Sequence, residues 1–176
     1  MKSSGSSFVG RRIGAMILAF FGAAWILAGL AVSHRSSTLA TSAVCACAVV
    51  LAAVARLQLR RRPPVPPAVP FNGRLYGIVN VVQWVAIFGV AALLPALGLR
   101  DWVIPVSIAI VGLHFLPLAR SFDSLYYATG AAMVLLAFIY PFVPSLVPKS
   151  AAGLFGAGVI LWATAVVALG SVRGRA

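Results

Sequence analysis

Acidic side chains are nearly absent from this sequence, and charge of either sign is scarce. The chain has no glutamate and two aspartates, Asp101 and Asp123, and charged residues make up 9% of it. Histidine and cysteine are equally few, with two of each, and none falls at metal-ligand spacing. No predicted span contains a carboxylate, which disfavours an ion-coupled carrier built on an acidic relay. We expect neither a metal nor a cofactor.

Sequence patterns of catalysis are also missing. No nucleophile–base–acid set is evident, and no glycine-rich phosphate loop stands between a strand and a helix. Ser107 and His114 lie seven residues apart and share a helical face. About 10 Å of helix rise separates them, so they cannot hydrogen-bond directly. The sequence leaves enzymatic activity open and favours a protein that is not an enzyme.

Apolar residues dominate what is present. They make up 62% of the chain and fall into six runs. Each run is near the roughly 20 residues that an α-helix needs to cross a bilayer. The predicted spans are 13–33, 38–55, 75–97, 102–118, 125–143 and 151–170. We therefore predict an all-α integral membrane protein, a six-span transmembrane helix bundle.

Positive charge is distributed unevenly between the predicted spans. Three of the fourteen Lys and Arg residues, Arg35, Arg100 and Lys149, fall on one side, and eleven share the side of the N-terminus. Cytoplasmic segments carry such an excess, so we expect both termini in the cytoplasm. In a soluble protein the net charge of +12 would suggest nucleic acid binding. Here we assign that charge to the cytoplasmic membrane surface and expect no nucleic acid partner.

An arginine and proline segment follows the second span. Its basic residues are Arg56, Arg60, Arg61 and Arg62, and five prolines follow within residues 63–70. The prolines predict an extended, stiff spacer, and the arginines predict contact with anionic lipids of the inner leaflet. The spacer divides the chain into a two-span hairpin at 1–62, a cytoplasmic linker at 63–74 and a four-span bundle at 75–176.

Polar side chains inside the predicted spans concentrate in spans three, four and five. Tyr76, Asn80 and Gln83 are four and three residues apart, so they share one helical face. With the predicted orientation, all lie toward the cytoplasmic side, and the three spans would converge on one inward-facing pocket. The predicted ligand-binding residues are Tyr76, Asn80, Gln83, Trp84, His114 and Tyr126. The alternative is that these groups only hydrogen-bond between helices, which stabilises a membrane bundle without binding a ligand.

Two further features leave alternatives open. Arg120 and Asp123 lie on the predicted loop between spans four and five, where they would stand at the mouth of the pocket or pair with each other. Asp123 also suits the positive end of the helix dipole of span five. Small residues repeat every four positions in span one, at Ala15, Ala19 and Ala23. A comparable ridge in span six has Ala152 and Gly156, with Gly153 and Ala157, and such ridges fit internal packing or a homodimer equally well.

Three stretches of the sequence carry a resemblance. They are Asn80-Val81-Val82-Gln83-Trp84, Asp101-Trp102-Val103-Ile104-Pro105 and Val111-Gly112-Leu113-His114-Phe115-Leu116-Pro117-Leu118-Ala119. Together they resemble a group of small uncharacterised bacterial multi-pass integral membrane proteins, a domain of unknown function. The resemblance implies a bacterial cytoplasmic membrane and puts any shared function on spans three to five.

The sequence as a whole predicts a membrane protein that binds, senses or passes a small molecule in the inward-facing pocket. A second class of function stays open beside it. The protein would then be a scaffold or accessory subunit, packed against a partner membrane protein or another copy of itself.

Overall fold

The computed structural model describes residues 6–60, 73–121, 123–144 and 147–170, and every regular element in these ranges is a helix. The long helices are α1 (Ser6–Val32), α2 (Thr38–Arg60), α3 (Gly73–Ala96), α4 (Val103–Ser121), α5 (Leu125–Ile139) and α6 (Lys149–Gly170). Single 3₁₀ turns precede α4 at Arg100–Trp102 and follow α5 at Tyr140–Phe142. All six predicted spans are confirmed as helices that are long and apolar enough to cross a membrane.

A glycine cap ends helix α3 close to the predicted end of the third span. Gly98 adopts a positive φ of 76°, which an L side chain would resist. The Leu99 N–H donates to the Leu94 carbonyl at 2.8 Å, and the Gly98 N–H donates to the Pro95 carbonyl at 3.1 Å. This pair of bonds is the Schellman arrangement, which satisfies carbonyls that have no partner within the helix.

The helices pack in an order that differs from their order in the chain. Helix α1 lies along α6, α6 also contacts α5, and α5 lies along α4. Helix α2 flanks α1 on one side, and α3 flanks α4 on the other. The start of α1 and the end of α6 therefore lie at the same end of the bundle. We call it the arginine end, since it holds Arg11, Arg12, Arg56 and Arg60.

The contact between α1 and α6 crosses the predicted division of the chain. Residues 63–72 of the predicted linker lie outside the described part, and α3 begins at Gly73. The first hairpin and the later spans nevertheless share one core, because Ala15 and Leu18 of α1 pack in the same buried cluster as Leu161 of α6.

Glycines allow α1 and α6 to approach closely. A Cβ atom at Gly158 would lie 2.8 Å from the Gly22 carbonyl oxygen and 2.5 Å from Ile26 Cγ1. Beside this contact, the Trp162 Nε1–H of α6 donates to the Ala19 carbonyl of α1 at 2.9 Å. Because lipid is as apolar as these side chains, such close approach and shared hydrogen bonds are what holds membrane helices together.

The small-residue ridges predicted in spans one and six are used inside the chain. Ala15 and Ala19 in α1 are fully buried, as is Ala157 in α6, and Gly153 is buried against the Tyr140 ring. Ala152 and Gly156 of the same ridge are half-buried, and a Cβ atom at Gly156 would lie 2.9 Å from Leu136 of α5. Most of these ridge residues therefore serve packing inside the chain.

Helices α4, α5 and α6 meet in the same way. A Cβ atom at Gly130 would lie 2.6 Å from the Gly112 carbonyl oxygen, so the backbones of α5 and α4 nearly touch. The hydroxyls of Thr129 and Thr164 are 2.9 Å apart and link α5 to α6. Each hydroxyl also lies within hydrogen-bond distance of a carbonyl in its own helix. These two hydroxyls therefore help to hold α5 against α6.

Replacing Gly158 by Ala tests the approach of α1 to α6. Since the added methyl group would meet backbone oxygen and a packed isoleucine, we expect Gly158→Ala to lower the free energy of unfolding by about 1–3 kcal/mol. The measurement is reversible unfolding by sodium dodecyl sulfate in mixed micelles. Gly89→Ala is the matched control, because a Cβ there meets nothing within 4 Å, and it should be as stable as the parent protein or up to about 1 kcal/mol more stable, since Ala favours a helix over Gly. Equal stability of both variants would contradict this packing.

Candidate functional site

Two adjacent arginines at the start of α1 bind the ends of two other helices. Arg11 forms an ion pair through its Nε with Asp123 Oδ2, just before α5. The Asp123 side chain is only 4% exposed, and its Oδ1 accepts a hydrogen bond from the Leu125 N–H at 2.9 Å. Asp123 therefore neutralises Arg11 and also satisfies a free N–H at the start of α5, where the helix dipole favours negative charge.

Arg12 points to a different neighbour. Its side chain is fully buried, and its Nη1 donates to the Ala168 carbonyl at 2.6 Å. Ala168 lies in the last turn of α6, where carbonyls lack helical partners and the dipole favours a cation. The two arginines thus fasten α1 to the positive end of α5, through Asp123, and to the negative end of α6.

A groove of about 290 Å³ opens beside this ion pair at the arginine end. One part of its lining is polar and the other is apolar. The lining residues are Arg11, Asp123, Ser124, Leu125 and Val167. They come from α1, from the start of α5 and from the last turns of α6, so the groove lies where these three helices meet.

Tyr126, one of the predicted pocket residues, lies inside this junction. It is buried, and its hydroxyl fills the space over Gly14 of α1 that a side chain there would occupy. Its ring stacks on Phe115 of α4, with centroids 5.8 Å apart and planes within 3°. Tyr126 therefore packs between α1, α4 and α5, away from α3.

Three other predicted residues share the face of α3 that turns toward α4. Tyr76, Asn80 and Gln83 are all half-buried, whereas the residues between them at 77, 78, 81 and 82 are exposed. The Asn80 Nδ2 donates to the Tyr76 carbonyl at 2.9 Å, which satisfies that amide within its own helix. Gln83 is the second half-buried carboxamide of this face.

His114 of α4 lies against the same face. Its imidazole lies near the Val79 backbone of α3. Val79 and Gln83 are one helical turn apart, so Gln83 lies one turn along α3 from the place where His114 approaches it. The His114 Nδ1 is buried and has no hydrogen-bond partner among the described residues. We call this group, Tyr76, Asn80, Gln83 and His114, the α3–α4 seam.

Trp84 lies outside the seam. Its side chain is 43% exposed and stacks on Phe88 with ring centroids 5.7 Å apart, on the outer surface of α3. The structure therefore brings together four of the six predicted ligand-binding residues and separates Trp84 and Tyr126 from them. The predicted contact of Arg120 with Asp123 involves a side chain outside the described part of the chain, and Asp123 pairs with Arg11.

Sequence reasoning missed the roles of Arg11 and Arg12. Both were counted among eleven basic residues on one side of the membrane, and nothing in the sequence separates them from the other nine. One signal did exist, because Asp123 is the only acid on that side and a carboxylate near hydrocarbon needs a partner.

No protein-family model, no curated protein and no solved structure matches the chain. Within the described ranges, no three His, Cys, Asp or Glu side chains gather where they could hold a metal ion.

Arg12 offers a direct test of how α1 is fastened. Arg12→Gln removes a buried, charge-assisted hydrogen bond, so we expect a loss of about 1.5–3 kcal/mol in the free energy of unfolding. Arg56→Gln at the same end is the control, since Arg56 is exposed and its loss should change stability by less than about 0.5 kcal/mol. Unfolding titrations in mixed micelles measure both. Arg12 would have no structural role if the two variants unfolded alike.

Proposed function

We propose that this protein is a multi-pass protein of the bacterial cytoplasmic membrane that is not an enzyme and binds a small polar molecule at the α3–α4 seam. Six apolar helices support the membrane assignment. The excess of arginine at one end supports a cytoplasmic position for that end and for both termini. The seam lies in the half of the bundle nearer the arginine end, so its ligand would enter from the cytoplasmic side.

One observation carries the binding proposal. The His114 Nδ1 is buried and lacks a hydrogen-bond partner among the described residues, on the side of α4 that faces α3. A polar atom left unsatisfied in an apolar medium is costly, and a ligand that hydrogen-bonds to it removes that cost. Gln83 lies one turn along α3 from this place and has a carboxamide that both donates and accepts.

The position of α3 gives a ligand access. Its main contact is with α4, and none of its described side chains is buried. A helix with few buried side chains moves away from its neighbour more readily than the central helices of the bundle do. Small displacements of α3 would therefore admit a molecule between Gln83 and His114 without disturbing the core.

The chemistry of the seam limits the class of ligand. Imidazole and carboxamide groups supply hydrogen bonds of both kinds but no fixed charge beyond that of a protonated His114. Three charged residues of the arginine end, Arg11, Arg12 and Asp123, are engaged elsewhere, and Arg74 at the start of α3 is exposed. The ligand is therefore neutral or weakly charged and carries both a donor and an acceptor.

A second candidate function rests on the outer helices. Helices α2 and α3 expose most of their apolar side chains, among them Leu39, Val50, Val81 and Phe88. Since the ridges of α1 and α6 are occupied, a partner membrane protein or a second copy would pack on α2 or α3. Recovery of one stoichiometric partner by cross-linking in native membranes would favour this scaffold function over ligand binding.

The binding proposal is tested with a defined library of neutral and singly charged metabolites, read out as the thermal unfolding midpoint in detergent. We expect at least one compound to raise the midpoint of the parent protein, because binding to the folded state alone stabilises it. His114→Ala and Gln83→Ala should each abolish that shift, since they remove the hydrogen-bonding groups of the seam.

Trp84→Ala is the matched control for these variants. Trp84 lies one residue from Gln83 but on the outer surface, so its loss should leave the shift intact. A shift that survives in both seam variants, or no shift from any compound, would contradict binding at the seam.

A further inference from the structure

We propose that the groove at the arginine end binds the phosphate of an anionic phospholipid. This site is separate from the α3–α4 seam and does not depend on the function proposed for it. It also differs from the general attraction of surface arginines to anionic lipid, because it assigns one headgroup to a defined place between α1, α5 and α6.

Arg11 supplies the recognition of phosphate. Its ion pair with Asp123 fixes the guanidinium in one orientation, and 27% of the side chain stays exposed where it lines the groove. A guanidinium carries five N–H groups in a rigid fork, a geometry that matches two phosphate oxygens at once. A fork already oriented by a buried carboxylate loses little further side-chain entropy when phosphate binds.

The start of α5 adds to this recognition. Ser124 lines the groove, is exposed, and makes no capping hydrogen bond with its hydroxyl. It stands at the positive end of the α5 dipole, which favours an anion. A phosphate beside Arg11 would therefore meet a cation, a hydroxyl donor and a favourable dipole.

The apolar part of the groove indicates a lipid as the source of the phosphate. Leu125 and Val167 line it, and Val166 and Val159 of α6 are 54% and 58% exposed. Val159 and Val166 are seven residues apart, so they share a face that continues from the groove toward the middle of the membrane. An acyl chain would cover this face, whereas a free phosphate would leave it bare.

The charge of the arginine end indicates an anionic headgroup. Arg12, Arg56, Arg60 and Arg74 lie at this end, and Asp123 is its single acid. The resulting positive potential favours a headgroup with net negative charge over a zwitterionic one. Asp123 opposes this preference, because its carboxylate stands next to the proposed phosphate position.

Because Arg11 attracts the phosphate and Asp123 repels it, neutralising one or the other should change the affinity for lipid in opposite directions. The probes are phosphatidylglycerol, phosphatidylcholine and inorganic phosphate, titrated onto the full chain in neutral detergent, with lipid binding read by native mass spectrometry. The parent protein should bind phosphatidylglycerol in preference to phosphatidylcholine, and inorganic phosphate alone should not compete at equal concentration.

Arg11→Gln should weaken phosphatidylglycerol binding about tenfold, the loss of one charge-assisted hydrogen bond. Asp123→Asn should strengthen it, because the amide oxygen still accepts the Leu125 N–H and removal of the opposing charge outweighs the side-chain entropy that a less firmly held Arg11 loses on binding. Arg56→Gln removes the same charge as Arg11→Gln from an exposed position at the same end, and its effect should be much smaller. If Arg11→Gln fails to fold, Arg11→Lys keeps the charge without the fork and should bind with intermediate affinity.

Four results would overturn the proposal. Equal weakening by Arg11→Gln and Asp123→Asn would mean that the ion pair serves only the fold. A loss of phosphatidylglycerol affinity in Arg56→Gln equal to that in Arg11→Gln would mean that surface charge alone attracts the lipid. Equal binding of phosphatidylcholine would remove the anionic preference, and competition by inorganic phosphate at equal concentration would make the groove a site for free phosphate.

Discussion

The attachment of α1 to the ends of α5 and α6 is the interaction on which the rest of this bundle depends. Hydrocarbon provides no hydrogen-bonding partners, and it provides no hydrophobic force that would drive one apolar helix onto another. Arg11 and Arg12 supply polar attraction at the membrane boundary, where each cation binds the end of a different helix. Once they hold the first span beside the last, the glycine contact between Gly22 and Gly158 brings the two backbones together along their length.

The groove and the seam both follow from this attachment. The groove lies in the angle between α1, α5 and α6 that the arginines create. The seam lies on the far side of α4, and a row of aromatic contacts connects the two places. Tyr126, seated over Gly14, stacks on Phe115, and the Phe115 ring meets His114 edge to face with centroids 5.9 Å apart. These three aromatic side chains therefore connect the junction of α1 and α5 with the seam.

The sequence predicted the spans closely because span length and composition are set by the bilayer. The third span was predicted at 75–97 and the helix is Gly73–Ala96, and the sixth was predicted at 151–170 and the helix is Lys149–Gly170. The shared face of Tyr76, Asn80 and Gln83 was also predictable, since spacing of three and four residues fixes it. The direction of Trp84 was not, because a residue next to a polar stripe can turn either way.

The sequence could not predict which spans are neighbours. All six spans are similarly apolar, so composition does not show that α6 lies between α1 and α5. The partner of Asp123 was equally hidden, because Arg11 is far away in the chain and Arg120 is close. Which helices become neighbours depends on close packing at glycines and on single ion pairs. Neither can be read from one sequence.

A double-mutant cycle at Arg11 and Asp123 tests the attachment of α1 most directly. The free energy of unfolding in mixed micelles is measured for Arg11→Gln, for Asp123→Asn and for the two together. If the pair fastens α1 to α5, the double variant is hardly less stable than the less stable of the two single variants. The coupling energy between Arg11 and Asp123 is then about 1–3 kcal/mol. Losses that add to within about 0.3 kcal/mol would show that the two side chains act independently, and would contradict this account of the bundle.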